Sequence, residues 1–352
     1  MNKISNLYIA FGSFAVLFLM IKIFSQNGNP NQLGKTNYKI CGVTLVAPPK
    51  PFPINPTQDI KMVHANWVAL IPYAYSPLGI PEVRYGTNSW QWWGETKDGI
   101  IKSIELAQKS NLKIMLKPQV YMHNGWTGSL NFELESDWIK WEFDYEKYIM
   151  SMVDIAKDYD VDLFCIGTEW NQATAKRPIF WKQLIQKIRS KYQGLLTYSA
   201  NWDNYHQVPF WNELDYIGIS AYFPLVESHE PSPVELKSAW TKYIVEMDTF
   251  SKSLNKPILF TEFGYLTVPG CGGKTWELEK KVDQLPINQQ AQANCYEALF
   301  QSLWDQRFWA GGFVWKWFPN DEGHEGYIEK DYSPQHKQAE QILKKWYAIS
   351  NH

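Results

Sequence analysis

The sequence lacks several patterns that mark well-known classes of protein. Its four cysteines include no C-x-x-C pair, which argues against a structural zinc site. Its seven histidines show no i, i+2 or i, i+4 pairing, so metal-dependent hydrolysis is not indicated. The formal net charge is −2 and no dense Lys/Arg stripe is present, which argues against a nucleic-acid partner. We therefore expect no metal, no cofactor and no nucleic acid.

A glycine-rich phosphate loop is also absent. The first predicted strand ends in Ala47-Pro48-Pro49, whereas a doubly wound nucleotide-binding sheet usually has a glycine-rich turn there. No short-period repeat interrupts the chain. With 352 residues, the sequence is long enough for one barrel domain of roughly 250 residues with long loops and an N-terminal extension.

Aromatic residues, by contrast, are abundant. They make up 16% of the chain and include 18 tryptophans. Most tryptophans are expected to fill the core, but Trp90, Trp92 and Trp93 lie beside the turn-forming Asn88 and Gly94. Rings with one polar N–H suit a ligand that is apolar on its face and hydroxylated at its rim, such as a sugar. Protein-binding surfaces use tryptophan as well, so composition leaves both classes of partner open.

The N-terminus carries an almost uncharged apolar run, Leu7–Ile21. Its position predicts an export signal or a membrane anchor in residues 1–24. Residues 25–37 are rich in Asn, Gln, Gly and Pro, which is typical of a linker. The remaining domain, residues 38–352, is then exported and is either secreted or attached to the membrane through the N-terminal segment. In such a compartment a disulfide between Cys271 and Cys295 is an open alternative to two free thiols.

Short apolar runs alternate with longer amphipathic ones from Lys39 onward. The predicted strands are Ile40–Val46, Trp67–Ile71, Lys113–Leu116, Leu163–Gly167, Leu195–Ser199, Tyr216–Ser220, Ile258–Phe260 and Phe313–Trp315. The predicted helices are Asp98–Ser110, Ser136–Lys157, Ile179–Tyr192, Val234–Leu254, Gln289–Asp305 and Pro334–Tyr347. Continuous apolar strands suit a parallel sheet that is buried on both faces. Eight of them alternating with helices predict an α/β fold, a single (β/α)₈ TIM barrel.

Active-site groups of such barrels lie at the carboxyl ends of the strands. Glu169 follows the fourth predicted strand and Glu262 follows the seventh. Two carboxylates facing each other across a barrel mouth suit retaining glycoside hydrolysis, in which one protonates the leaving oxygen and the other attacks the anomeric carbon. The two carboxyl groups are then expected about 5–5.5 Å apart. The pair therefore predicts a glycosidase.

The order of these motifs resembles the large clan of (β/α)₈ glycosidases with catalytic residues on strands four and seven. Within that clan the chain is most similar to the endo-β-1,4-mannanases of glycoside hydrolase family 113, over roughly residues 39–347. The matching stretches are Gly42-Val43-Thr44-Leu45, Met115-Leu116-Lys117-Pro118, Ile166-Gly167-Thr168-Glu169, Ala200-Asn201-Trp202, Ile219-Ser220-Ala221-Tyr222, Thr261-Glu262-Phe263-Gly264-Tyr265 and Trp315-Lys316-Trp317. The resemblance implies a β-mannan polysaccharide or oligosaccharide as substrate, Glu169 as acid/base and Glu262 as nucleophile.

One residue departs from the clan pattern. Thr168 stands where much of the clan has an Asn that binds the sugar 2-hydroxyl. We expect Asn201, at the end of the fifth predicted strand, to supply that contact, with a turn-capping role as the alternative. The resemblance also implies that Tyr222 donates a hydrogen bond to Glu262, and that Trp315 is the platform under the scissile sugar.

Three further residues are expected near the substrate. Lys117 ends the third strand and is a candidate to bind sugar hydroxyls or to form a salt bridge with a helix. Trp126 follows on the next loop and is expected to line an outer subsite. Trp170 is expected to contact the substrate and, as an apolar neighbour, to raise the pKa of Glu169.

Other functional interpretations of the same residues remain open. A glucanase or xylanase of the same clan would share both glutamates. A non-catalytic carbohydrate-binding barrel would keep the aromatics without needing either Glu. A membrane-anchored interaction protein would use the aromatics as a protein interface.

Overall fold

Eight parallel strands close into a barrel. The computed structural model describes residues 38–86, 91–319 and 328–350. The strands are β1 Ile40–Leu45, β2 Trp67–Leu70, β3 Tyr73–Tyr75, β4 Lys113–Leu116, β5 Gln119–Tyr121, β6 Leu163–Thr168, β7 Leu195–Asn201, β8 Ile217–Ser220, β9 Ile258–Phe263 and β10 Trp309–Trp317. The barrel order is β1-β10-β9-β8-β7-β6-β4-β2. The predicted (β/α)₈ fold is confirmed.

The strands are buried along nearly their whole length, which explains their unbroken apolar sequences. Every residue of β1, β2, β8 and β9 is buried. Side chains pointing inward fill the barrel, and those pointing outward meet the helices. The barrel lumen includes a hydroxyl cluster in which Ser199 Oγ lies 2.6 Å from Thr261 Oγ1 and 2.9 Å from Ser220 Oγ.

The described ranges contain nine α-helices, of which six were predicted and five begin within one residue of the predicted start. The short helices Thr57–Met62, Asn171–Lys176 and Thr275–Glu279 were not predicted. The nine helices of these ranges are α1 Thr57–Met62, α2 Lys97–Lys109, α3 Glu135–Asp158, α4 Asn171–Lys176, α5 Pro178–Lys191, α6 Pro233–Leu254, α7 Thr275–Glu279, α8 Gln289–Leu303 and α9 Gln338–Ile349. The predicted start of the last helix at Pro334 is wrong by four residues. There Gln335 bonds the backbone of Phe318 instead, accepting from its N–H at 2.6 Å and donating to its carbonyl at 3.0 Å.

A second, small sheet was not predicted. β3 and β5 pair in parallel, with Tyr73 opposite Gln119. Each has three residues and follows a proline, Pro72 or Pro118, that separates it from the preceding barrel strand. The two strands continue β2 and β4 past the barrel rim, and they place Gln119 at the barrel mouth.

The N-terminal prediction lies outside the described residues. Both the expected signal or anchor in residues 1–24 and the expected linker in residues 25–37 precede Tyr38, where the description begins. Within the ranges given above, every helix is too short or too polar to cross a membrane.

Candidate active site

Glu262 lies in the penultimate position of β9 and is 6% exposed. Its Oε1 accepts hydrogen bonds from Lys117 Nζ and from Gln119 Nε2, the latter at 2.8 Å. Its Oε2 accepts one from the Tyr222 hydroxyl at 3.0 Å. The expected contact between Tyr222 and Glu262 is thus confirmed. Three donors, one of them cationic, therefore hold this buried carboxylate in place.

The position of Lys117 corrects the sequence prediction. We expected it to bind sugar hydroxyls or to pair with a helix, but its side chain is fully buried and forms an ion pair with Glu262. The proline that follows it ends β4 at this point and turns the chain into β5. A lysine without accessible surface acts on Glu262 and makes no direct contact with a polysaccharide.

Glu169 directly follows β6 and is only partly buried. Its φ of 56° lies in the left-handed region, which is uncommon for a residue with a side chain and is concentrated at functional sites. Its backbone N–H bonds to Ser199 O at 2.8 Å, which fixes this turn on β7. Its Oε2 accepts a hydrogen bond from Trp126 Nε1 at 2.7 Å.

The electrostatics of Glu169 favour its protonated form. Burial raises the pKa of its carboxyl, and the negative charge of Glu262 raises that pKa further, whereas the hydrogen bond from Trp126 lowers it. A raised pKa is what a group needs if it is to donate a proton near neutral pH. The direction expected from the sequence is confirmed.

Trp170 is a second correction. It was expected to contact the substrate, but it is 1% exposed and packs behind the site. Its indole lies 4.8 Å from the ring of Trp141, and its Nε1 donates to the Tyr145 hydroxyl at 3.2 Å. Glu169 lines the cavity between the two glutamates, whereas the next residue, Trp170, is buried. Trp170 therefore joins the helix-facing core and has no surface to offer a polysaccharide.

A cavity of about 690 Å³ opens between the two glutamates and the barrel rim. It is lined by Trp126, Glu169, Asn201, Trp202, Asp203, Tyr222, Glu262, Thr275, Trp276, Glu279, Lys280, Trp315 and Tyr332. Asn201 lies in its wall and also has the turn-capping contacts, since its Oδ1 accepts from Trp202 N at 3.1 Å and its Nδ2 donates to Asp203 at 3.0 Å. The structure thus places Asn201, Tyr222, Trp126 and Trp315 together with the two glutamates.

Another cavity, of about 500 Å³, lies on the opposite side of Trp315. Its lining includes Tyr73, Tyr75, Trp92, Glu95 and Tyr121. Burial raises the pKa of Glu95 to about 7. Since Trp315 lines both cavities, the mouth of the barrel forms a cleft that extends to either side of this ring. Of the tryptophan cluster noted in the sequence, Trp92 lies in the cleft and Trp90 is outside the described residues.

Sequence reasoning missed Gln119, Trp202 and Trp276. Gln119 follows Pro118, and its role depends on the unpredicted strand β5. Trp202 follows Asn201 within a motif already singled out, so its position at a strand end was an available signal. Trp276 lies in a long loop between β9 and α8, where no strand or helix pattern assigns a direction to its ring.

Cys271 and Cys295 are buried free thiols whose Sγ atoms are 3.8 Å apart. A disulfide needs a separation of about 2.05 Å, so the two sulfurs are in contact and not bonded. The proposed pairing of these two residues stays a prediction.

Comparison with known proteins places the chain among glycosidases. The model of Glycoside Hydrolase Family 113 matches residues 56–337. A solved complex of a family 113 β-1,4-mannanase shares 25% identity with a TM-score of 0.74, covering 88% of this chain and 99% of that chain. The family 113 β-mannanase from Alicyclobacillus acidocaldarius, in complex with ManMIm, gives the same identity and TM-score with 89% and 98% covered.

A more distant neighbour shows the fold alone. The β-glucuronidase from Ruminococcus gnavus has 15% identity and a TM-score of 0.61, covering 88% of this chain and 50% of that chain. Among curated proteins there is no match.

Proposed function

This chain belongs to glycoside hydrolase family 113, and we propose that it cleaves β-1,4-linked mannan with retention of configuration, using Glu169 as acid/base and Glu262 as nucleophile. The solved family 113 structures with 25% identity are β-mannanases, which supports this substrate over glucan or xylan. The observation that carries the assignment of roles is the unequal environment of the two carboxyls. Glu262 accepts bonds from three protein donors, among them the cationic Lys117, whereas Glu169 accepts a bond from the neutral indole of Trp126 and has a raised pKa.

In the first step, an oxygen of the Glu262 carboxylate attacks the anomeric carbon of the sugar above Trp315. The bond from that carbon to the glycosidic oxygen breaks, and protonated Glu169 gives its proton to the departing oxygen. Tyr222 and Lys117 hold the attacking carboxylate in place. The product is a glycosyl ester on Glu262, a shortened chain with a new hydroxyl, and ionised Glu169.

In the second step, Glu169 takes a proton from a water molecule, whose oxygen attacks the same carbon. The ester bond to Glu262 breaks and the free carboxylate is restored. Two inversions give net retention. Asn201 lies in the cavity wall beside both glutamates, and we assign it the contact to the sugar 2-hydroxyl in both steps.

The cleft supports cleavage within a chain. Cavities extend on both sides of Trp315, so sugar units can be bound before and after the cleaved bond. We therefore propose endo action. Reducing-sugar release from a panel of soluble mannan, glucomannan, glucan and xylan tests the substrate, and viscosity measured in the same reactions tests the mode. We expect mannan to lose viscosity quickly while little reducing sugar is released. Activity confined to glucan or xylan would show that the protein is another β-glycanase.

The two roles are separated by azide. In Glu262→Ala the nucleophile is missing, so azide should attack the sugar directly and give a glycosyl azide of inverted configuration. In Glu169→Ala the ester still forms from a substrate with a good leaving group, and azide should then give a retained product. The opposite stereochemistry would exchange the roles. Full activity in both variants, or glycan binding by the wild type without cleavage, would favour a non-catalytic carbohydrate-binding barrel.

We propose in addition that the protein is exported, with the apolar run Leu7–Ile21 as signal or anchor. The test is fractionation of cells that make the full chain or the chain without residues 1–37. The full chain is expected outside the cytoplasm, and the shortened one in the cytoplasm as a soluble, active domain. An insoluble shortened chain would show that the segment is part of the fold, and both chains in the cytosol would refute export.

Export would expose Cys271 and Cys295 to oxidation. Their thiols would lose two protons and two electrons to a thiol–disulfide oxidant of that compartment, forming one S–S bond. Thiol titration of the exported, denatured protein should then count two free thiols, Cys41 and Cys165. Four free thiols in the exported protein would exclude the bond.

A further inference from the structure

The wall of the larger cavity carries a pair of tryptophans from two different loops. Trp202 follows β7, and Trp276 lies in α7, within the long connection after β9. Their ring centroids are 5.8 Å apart with planes at 18°, which is an offset parallel stack. Both rings line the cavity, and Trp276 keeps 37% of its surface exposed.

The pair is held from behind by the protein core. Trp202 packs edge-on against Phe223 at 5.9 Å and against Tyr243 at 6.5 Å. α7 is tied down by a chain of hydroxyls in which Thr275 Oγ1 lies 2.7 Å from Tyr332 OH, which in turn donates to Glu279 at 2.8 Å. The two rings therefore form a fixed surface before any ligand arrives.

The side of the cleft on which the pair lies follows from the barrel order. β6, β7, β8 and β9 are consecutive neighbours, so Glu169, Trp202 and Glu262 line the same cavity. The tyrosines Tyr73, Tyr75 and Tyr121 come from the β2 and β4 side and line the cavity across Trp315. Since an acid/base must lie next to the leaving oxygen, the leaving part of the substrate occupies the cavity that contains Glu169.

We propose that Trp202 and Trp276 form the aglycone platform, the surface on which the sugar units on the leaving-group side of the cleaved bond stack. This rests on the proposed function, because Glu169 defines the leaving-group side. A mannosyl unit has an apolar C–H face that matches an indole and hydroxyls at its rim. At that rim the cavity offers Asp203, Glu279 and Lys280 as polar partners.

The test compares two substrates that differ in what they place on the leaving-group side. One is mannohexaose, whose leaving part is several sugars long. The other is 2,4-dinitrophenyl β-mannobioside, whose leaving part is a single activated ring. Trp276→Ala should lower kcat/KM for mannohexaose about tenfold, the loss expected from exposing one stacked apolar surface. It should change kcat/KM for the aryl mannobioside by less than about twofold, because a good leaving group needs little binding energy on that side.

Tyr121→Ala is the matched control on the opposite side of Trp315. Tyr121 is an exposed aromatic, at 48%, which lines the other cavity. Because both substrates place mannosyl units on the glycone side, its substitution should lower kcat/KM for both. Trp276→Phe, which keeps an aromatic face, should recover most of the loss on mannohexaose.

Two results would overturn the platform. Equal losses on both substrates in Trp276→Ala would indicate a structural role for the ring, and no loss on mannohexaose would show that sugars do not stack there. Failure of the proposed function has a different signature, since the wild type would then cleave neither substrate. If the wild type proves specific for another β-glycan, the corresponding hexaose and aryl bioside give the same comparison.

Discussion

The two carboxyl groups of the site lie at equivalent places in the barrel and have opposite surroundings. Glu262 lies within a strand, is 6% exposed and accepts bonds from Lys117, Gln119 and Tyr222. Glu169 lies one residue past its strand, in a left-handed conformation, and accepts a bond from Trp126. Burial and the negative charge of Glu262 raise the pKa of Glu169.

This difference shows how one barrel end supports two opposite tasks. A nucleophile must stay ionised while it is shielded from water, so it needs donors that replace the lost solvation. An acid must keep its proton until the leaving oxygen needs it, so it gains from burial and from a nearby negative charge. The donors to Glu262 thus serve both groups, because they maintain the charge that raises the pKa of Glu169.

The largest effect is expected from Lys117→Met, which removes the cation beside Glu262. The remaining buried charge is uncompensated, so unfolding free energy should fall by about 3 kcal/mol. Because the carboxylate is no longer held in its ionised, attacking position, kcat should fall by about 100-fold or more. Thermal unfolding and steady-state kinetics measure the two effects. Gln119→Met is the control, since it keeps the ion pair between Lys117 and Glu262. If Gln119→Met lowered kcat as much as Lys117→Met, the lysine would have no special role.

Tyr222→Phe removes one neutral donor from Glu262 and leaves its ring in place. A hydrogen bond to a charged group contributes about 1.5–3 kcal/mol, so kcat should fall about 10- to 100-fold. Burst kinetics with an aryl mannobioside should show slower formation of the covalent intermediate. Unchanged burst and steady-state rates would mean that the two remaining donors are sufficient.

Trp126→Phe tests the other carboxyl. The indole N–H favours the charged form of Glu169, so its loss should raise the pKa of this group further. Glu169 must be protonated in the free enzyme, and activity is lost as the pH rises through its pKa. The alkaline limb of the kcat/KM profile should therefore move to higher pH, with less than about tenfold change at the optimum. An alkaline limb that stays in place, or moves to lower pH, would contradict the assignment of Glu169 as the acid/base.

The smallest catalytic effect is expected from Trp170→Phe. This ring packs on Trp141 and donates to Tyr145 behind the site. Its substitution should lower unfolding free energy by about 1–3 kcal/mol through lost packing and a lost hydrogen bond, with kcat/KM changed less than about twofold. Denaturant unfolding measures the unfolding free energy, and steady-state kinetics measures kcat/KM. A shift of the alkaline limb in this variant would show that contact with Trp170 contributes to the raised pKa of Glu169.

The contacts of Lys117, Gln119 and Trp276 could not be predicted from sequence patterns. Lys117 occupied a matching motif, but its partner Glu262 is 145 positions away along the chain. Gln119 depended on a three-residue strand that follows a proline, which is too short for a periodic pattern to reveal. Trp170 was assigned to the wrong side because adjacency to Glu169 does not fix the direction of its ring.

The barrel and the positions of its two glutamates follow from the amino-acid pattern alone. Eight apolar runs separated by amphipathic ones have a single common arrangement in which all are buried, and strand ends then carry the chemistry. The surroundings of each glutamate, and the choice of aromatics that face the cleft, depend on how the chain folds. Those properties depend on burial and on donors brought from distant strands, and local sequence encodes neither.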